Sequence, residues 1–156
     1  MKLKAFINLM VLGLMTMTVV AQDASALRKK EYNLEDNVAI MGYDPVAYFL
    51  LNKAVKGKKE LSYTYQGVEY RFSNGASLEE FKRNPSRYEP EYGGWCAYAM
   101  GAKGEKVSID PQTFKIINGK LYLFYNSFFN NTLKSWNKDE TVLKSKADVN
   151  WKKIYH

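Results

Sequence analysis

The dipeptide Asn118-Gly119, with alternating side chains on either side from Thr113 to Tyr125, is the strongest constraint on how this chain can fold. A two-residue hairpin turn needs positive φ at both central positions, and Asn-Gly accepts that backbone with the least strain. A second alternating stretch, Leu61 to Phe72, surrounds Gln66-Gly67, with Tyr63 and Tyr65 before the turn and Val68, Tyr70 and Phe72 after it. Counted from each turn glycine, both units carry Tyr at +3 (Tyr70, Tyr122), Phe at +5 (Phe72, Phe124) and Asn at +7 (Asn74, Asn126). Phe81 and Leu133 both fall at +14, on the helices expected to follow. Hairpin geometry alone imposes part of this agreement, so the spacing leaves a true duplication open.

Helix signals fill the gaps between the hairpins. Asp44-Pro45 is the pairing favoured at N-cap and N1, and it predicts a short helix over Val46 to Leu51. Ser73 to Ser77 leads into a helix carrying Leu78 and Phe81, which Asn84-Pro85 stops. Phe129, Leu133 and Trp136 stand at i, i+4 and i+7, one face of a further helix, and Leu143, Ala147 and Trp151 continue the stripe. The pattern predicts an α+β fold in which two β-hairpins and several short helices pack in one small domain, not a doubly wound sheet. That domain is expected over residues 38–154, after a polar lead-in at 22–37.

Residues 1–21 read as a signal peptide. Lys2 and Lys4 precede an uncharged apolar run from Ala5 to Val20, and Val19-Val20-Ala21 offers a small-x-small cleavage pattern, with Ala24-Ser25-Ala26 as an alternative. The run is short for a membrane span, which needs about 20 residues. Export is therefore the expectation, to a periplasmic or secreted destination with no membrane span left after cleavage. The formal charge of +7 falls to about +5 once Lys2 and Lys4 leave. What remains is spread over Lys-rich loops such as Lys53 to Lys59, with no Arg/Lys stripe interleaved with aromatics, so nucleic acid is not an expected partner.

The chemistry concentrates in Tyr88 to Gly101, which holds the single cysteine, Cys96, four aromatics and the pair Gly93-Gly94. One cysteine cannot close an intramolecular disulfide, which leaves burial, ligation or reactivity for its thiol. The one histidine is His156, the last residue, so no anchored imidazole is available for a Cys-His or Ser-His-Asp arrangement. CxxC is absent, and a structural zinc site would lack its Cys/His set. The soft donors are Cys96, Met100 and Met41. A helix would place Cys96 and Met100 on one face, and a thiolate with thioethers favours Cu(I). Glu89 and Glu91 flank Pro90 either as cleft carboxylates or as solvated loop charges. Tyr88, Tyr92, Gly93, Gly94, Trp95 and Tyr98 are the candidate lining of an aromatic pocket for a small molecule or partner.

Taken in order, Asp44-Pro45-Val46, Tyr65 to Ser73, Phe81 to Tyr88, Tyr92 to Tyr98, Gly119 to Leu123 and Lys146 to Trp151 resemble the YHS domain family, in its exported single-domain branch. The likeness covers residues 38–154. Many members are thought to hold metal through cysteines after the DPV start and beside the hairpin strand. Here those positions are Ala47, Ser73 and Ser77, and a serine hydroxyl is a poor ligand for a soft ion. The expectation is an exported, non-enzymatic binding protein, with copper at Cys96 as the first candidate ligand. The alternatives are a thiol-redox protein using Cys96 and an interaction module with an aromatic pocket.

Overall fold

A computed structural model describes residues 24–156; the expected signal peptide, 1–21, lies outside the described residues. The chain opens on helix α1 (24–31), then strands β1 (Leu34–Glu35) and β2 (Val38–Ala39), a 3-10 turn (Ile40–Gly42) and helix α2 (Pro45–Leu50). Strands β3 (Lys58–Tyr65) and β4 (Val68–Phe72) follow, then α3 (Gly75–Arg83) and α4 (Pro85–Tyr88). A second 3-10 turn (Glu91–Gly94) leads to α5 (Ala97–Lys103), β5 (Asp110–Ile117) and β6 (Lys120–Phe124). A small hairpin of β7 (Asn126–Ser127) and β8 (Asn130–Asn131) precedes α6 (Thr132–Trp136) and α7 (Glu140–Ile154). The fold is α+β, and both hairpins sit where the turn dipeptides placed them. Gln66 and Gly67 have φ of 46° and 83°, and Asn118 and Gly119 have 52° and 73°, the positive pair that a two-residue hairpin requires.

The agreement between the two units extends well beyond the hairpins. Residues 52 apart (96 − 44) play matching structural parts from Val38 to Ser73 and from Pro90 to Tyr125. Left-handed backbone occurs at Ile40, Met41, Gly42 and Asn52, and again at Tyr92, Gly93, Gly94 and Gly104. Asp44 N–H donates to Val55 O at 2.8 Å, and Cys96 N–H donates to Val107 O at 2.9 Å. Val38 bridges Glu69 in parallel, as Pro90 bridges Leu121. Both hairpins even share one irregularity. The register shifts between Lys58 and Ser62 in β3 and between Asp110 and Phe114 in β5, at matching distances from their turns. A hairpin turn does not dictate a bulge four residues away or the turn that precedes α2, so the chain contains a structural repeat.

The first core cluster spans both halves and takes in Cys96, Ala99, Ile109, Leu121 and Leu123, while each hairpin packs an aromatic pair on its own following helix. In the first, Tyr70 and Phe72 pack on Phe81, with centroids 4.8 and 5.1 Å apart. In the second, Tyr122 and Phe124 pack on Trp136, at 5.9 and 5.5 Å. The counterpart of Phe81 is therefore Trp136 and not Leu133. The β7–β8 hairpin delays the second helix by five residues, moving its N-cap from the Asn74 position to Asn131, at +12 instead of +7. For the same reason Phe129 is not part of a helical stripe: it sits beside Phe128 at the hairpin tip, and both are fully exposed. The rest of that stripe holds, with Leu143 and Ala147 buried on α7.

The folded unit also reaches back across the segment expected as a polar lead-in. Arg28 of α1 is buried, pairs with Glu89 and hydrogen-bonds Tyr32 at 2.9 Å, while Glu31 pairs with Lys106 and, at 3.1 Å, with Lys30. Tyr32, just after α1, then joins Trp151 of α7 and Tyr155 just beyond it, so the ends of the two helices meet over Gly93. A Cβ at Gly93 would lie 2.8 Å from both the Trp151 and Tyr32 rings, and φ there is +61°. Close aromatic packing is what this glycine permits.

Burial, the largest cause, holds the Tyr48, Tyr70 and Tyr92 hydroxyls well above their ordinary value of 10. The neutral form is favoured in the fold, so an unfolded chain releases protons that the folded one keeps once pH passes that value. Stability contributed by these groups is complete below it and falls as pH rises above it. In an alkaline titration followed by phenolate absorbance and circular dichroism, these three are expected to ionise only as the fold is lost. Ionisation at their ordinary value with ellipticity intact would contradict the burial.

Candidate functional site

The repeat defines a node at the start of each cap helix. In the first half Asp44, fully buried, caps α2 by accepting from the Val46 and Ala47 N–H groups at 2.9 and 3.4 Å. Its other oxygen accepts from the Ser73 N–H at 2.9 Å and the Ser73 hydroxyl at 2.6 Å, which ties the helix to the end of β4. One carboxylate thus satisfies four donors, and no water is needed.

Cys96 is the counterpart of Asp44. It is fully buried at the N-cap of α5, and its Sγ accepts from the Tyr125 N–H at 3.3 Å, Tyr125 being the counterpart of Ser73. Thr132 donates its hydroxyl to the Tyr125 carbonyl at 2.8 Å, so in the 3.4 Å contact between Cys96 Sγ and Thr132 Oγ1 the thiol is the donor. The thiol both gives and receives a hydrogen bond. It does for the second half what a carboxylate does for the first, except that it makes no cap bond to α5.

The second node differs in one further respect. Cys96 lies at the floor of a cleft of about 300 Å³ walled by Tyr98, Ala99, Val107, Tyr125 and Thr132, with Lys103 and Glu105 among its lining residues. Tyr98 and Tyr125 give aromatic walls, and a few polar groups offer orientation, the usual composition of a small-ligand site.

The expected soft donors do not converge. Cys96 stands outside α5 with non-helical backbone (φ −58°, ψ 115°) and belongs to the first core cluster. Met100, on α5, is buried in the second with Tyr122 and Trp136. Met41 lines a separate cleft with Glu35, Asp36 and Arg71. The same-face spacing fails because the residue before the helix does not have helical dihedrals. Among the described residues, no group of three or more His, Cys, Asp or Glu side chains is placed to hold a metal ion. The donors beside the thiol are a hydroxyl and backbone groups, a set that does not fit Cu(I).

The expected aromatic pocket is likewise dispersed. Tyr98 lines the Cys96 cleft. Tyr88 is buried in the first core with its hydroxyl donated to Glu80 at 2.7 Å, and Tyr92 in the second with its hydroxyl donated to Asp148 at 2.8 Å. Trp95 donates its indole N–H to the Glu31 carbonyl at 2.7 Å, fastening α1. Gly93 and Gly94 form the left-handed turn that aims Cys96. Glu89 is spent on Arg28 and Tyr70, and Glu91 pairs with Lys120 at 3.1 Å, so neither is a cleft carboxylate. Sequence reading missed Tyr125, Val107 and Thr132. Tyr125 stands one residue beyond Phe124, as Ser73 does beyond Phe72, and extending the hairpin count by one position would have found it.

No family model, curated protein or solved structure matches this chain. Among the described residues no helix is long and apolar enough to cross a membrane.

Removing the sulfur should leave the Tyr125 N–H without a partner and take from the Thr132 hydroxyl, which still donates to the Tyr125 carbonyl, the hydrogen bond it accepts. Cys96→Ala is expected to cost about 2 kcal/mol, and Cys96→Ser, which can keep both hydrogen bonds, about 1 kcal/mol. Urea unfolding measures both, and equal costs would show that the hydrogen bonds contribute nothing.

Proposed function

We propose that this protein is an exported, non-catalytic binding module of the YHS type, and that its ligand is a small amphipathic organic molecule seated in the Cys96 cleft. The contrast between the two nodes carries the reading. Asp44 is sealed by four donors, whereas the equivalent position in the second half opens into a cleft of about 300 Å³, near the lower end of the usual ligand range. Tyr98, Tyr125 and Val107 suit the faces of a planar or branched apolar group. Lys103, Glu105, Asn130 and Thr132 offer a polar end of either sign or none. Export rests on the residues of the N-terminal segment, and the family on the ordered motifs from Asp44 to Trp151.

A fully buried thiol that already gives and receives a hydrogen bond suits the floor of a binding site better than an exchanging redox centre. The test is amide chemical-shift mapping of the isotope-labelled protein against a library of aromatic fragments. Fragments are expected to perturb Tyr98, Ala99, Val107, Tyr125 and Thr132, and Ala102→Trp, at an exposed position in the cleft lining, should abolish those shifts with the fold intact. Fragments that bind elsewhere or not at all would contradict the reading. So would Cys96-dependent capture of Cu(I) from a chromophoric chelator, which would restore copper as the ligand.

A further inference from the structure

Two apolar features of this chain lack a partner among the described residues, and the repeat relates them. The first is the tip of the β7–β8 hairpin, where Phe128 and Phe129 are fully exposed. The second is the end of α2, where Leu50 and Leu51 are 62% and 61% exposed along a groove of about 360 Å³ that also includes Ala47, Ala76 and Ser77.

The counterparts of Ala47, Leu50 and Leu51 in the second half are Ala99, Ala102 and Lys103, and all three line the Cys96 cleft. There the base of the inserted hairpin, Asn130, forms part of the wall. The first half has no insertion, since α3 begins directly after Asn74, and its larger apolar pair is left without that wall. We propose that the groove at Leu50 and Leu51 receives the Phe128–Phe129 hairpin of a second copy of this chain, in a reciprocal two-fold dimer.

Area decides between one insertion and two. A phenylalanine side chain offers about 200 Å², so one hairpin and the groove surface it covers hide about 800 Å² in all. That is below the roughly 1,200–2,000 Å² of a stable specific contact, whereas two reciprocal insertions reach about 1,600 Å². A two-fold arrangement also closes, while one-way insertion would propagate into a filament. Charge does not oppose the contact. Tyr125 to Thr132 contains no ionisable group other than the Tyr125 phenol, and the acidic residues beside the groove are already paired, Glu79 with Lys82 and Glu80 with Arg83, each at 2.8 Å.

Sedimentation equilibrium of the purified protein over about 1–100 μM tests this, a range that spans Kd values typical of a modest interface. The wild type is expected to dimerise. Phe128→Ser/Phe129→Ser and Leu50→Lys/Leu51→Lys, all at exposed positions, should each be monomeric with unchanged circular dichroism. Mixing the two variants should restore one of the two contacts and give a heterodimer at least ten-fold weaker than the wild-type dimer. A monomeric wild type, a dimer that survives either double variant, or open-ended assembly would overturn the proposal. So would a monomer that binds phosphatidylglycerol vesicles through Phe128 and Phe129, since the tip would then be a lipid contact.

Discussion

Each half of this protein depends on one buried side chain at the start of a short helix. That residue follows a left-handed turn, precedes the helix and is bonded to the first residue after the hairpin's second strand, so it joins three segments distant in sequence. Helices of six and seven residues, such as α2 and α5, are too short to persist without tertiary support. Both lie beneath strands whose aromatic faces they help to bury. Substituting the node therefore affects the turn, the helix and the strand end together, rather than a single contact.

Asp44 and Cys96 meet this demand with different chemistry. A carboxylate has acceptor sites enough for every donor around it and seals its position. A thiol is a weaker partner with one donor and limited acceptor capacity, and its half needs Thr132 to complete the bonding. Thr132 arrives only because the β7–β8 hairpin displaces the following helix, and the same displacement helps to shape the cleft. Insertion and thiol thus act together on a cleft that reaches the node, whereas the matching groove at Leu50 and Leu51 in the first half has neither the hairpin wall nor Asp44 in its lining. This is why the ligand is assigned to the second half.

Much of the fold was legible because turn chemistry is local. Asn118-Gly119, Gln66-Gly67 and Asp44-Pro45 each state their geometry within two residues, and each is found as expected. The site was less legible, because it depends on where the chain returns. The i, i+4 spacing of Cys96 and Met100 assumed that the helix includes Cys96, but Gly93 and Gly94 turn the backbone so that it only precedes it. Phe129 matched a helical stripe by spacing alone, although Asn130-Asn131 breaks the run. The polar segment before Val38 gave no sign of packing, because its anchors are Arg28 and Glu31, charges buried by partners at Glu89 and Lys106. Pairing across so many residues leaves no trace in periodicity.

The equivalence of the two nodes is the central claim, and native-state hydrogen exchange at the Ser73 and Tyr125 amides tests it most directly. Both N–H groups donate to a cap side chain and, among the described residues, to no backbone carbonyl. Both should therefore be protected well beyond the unfolded-chain rate, and Asp44→Ala should release Ser73 while leaving Tyr125 slow. Exchange of either amide at the unfolded-chain rate in the wild type, or release of both by the single substitution, would contradict two independent nodes.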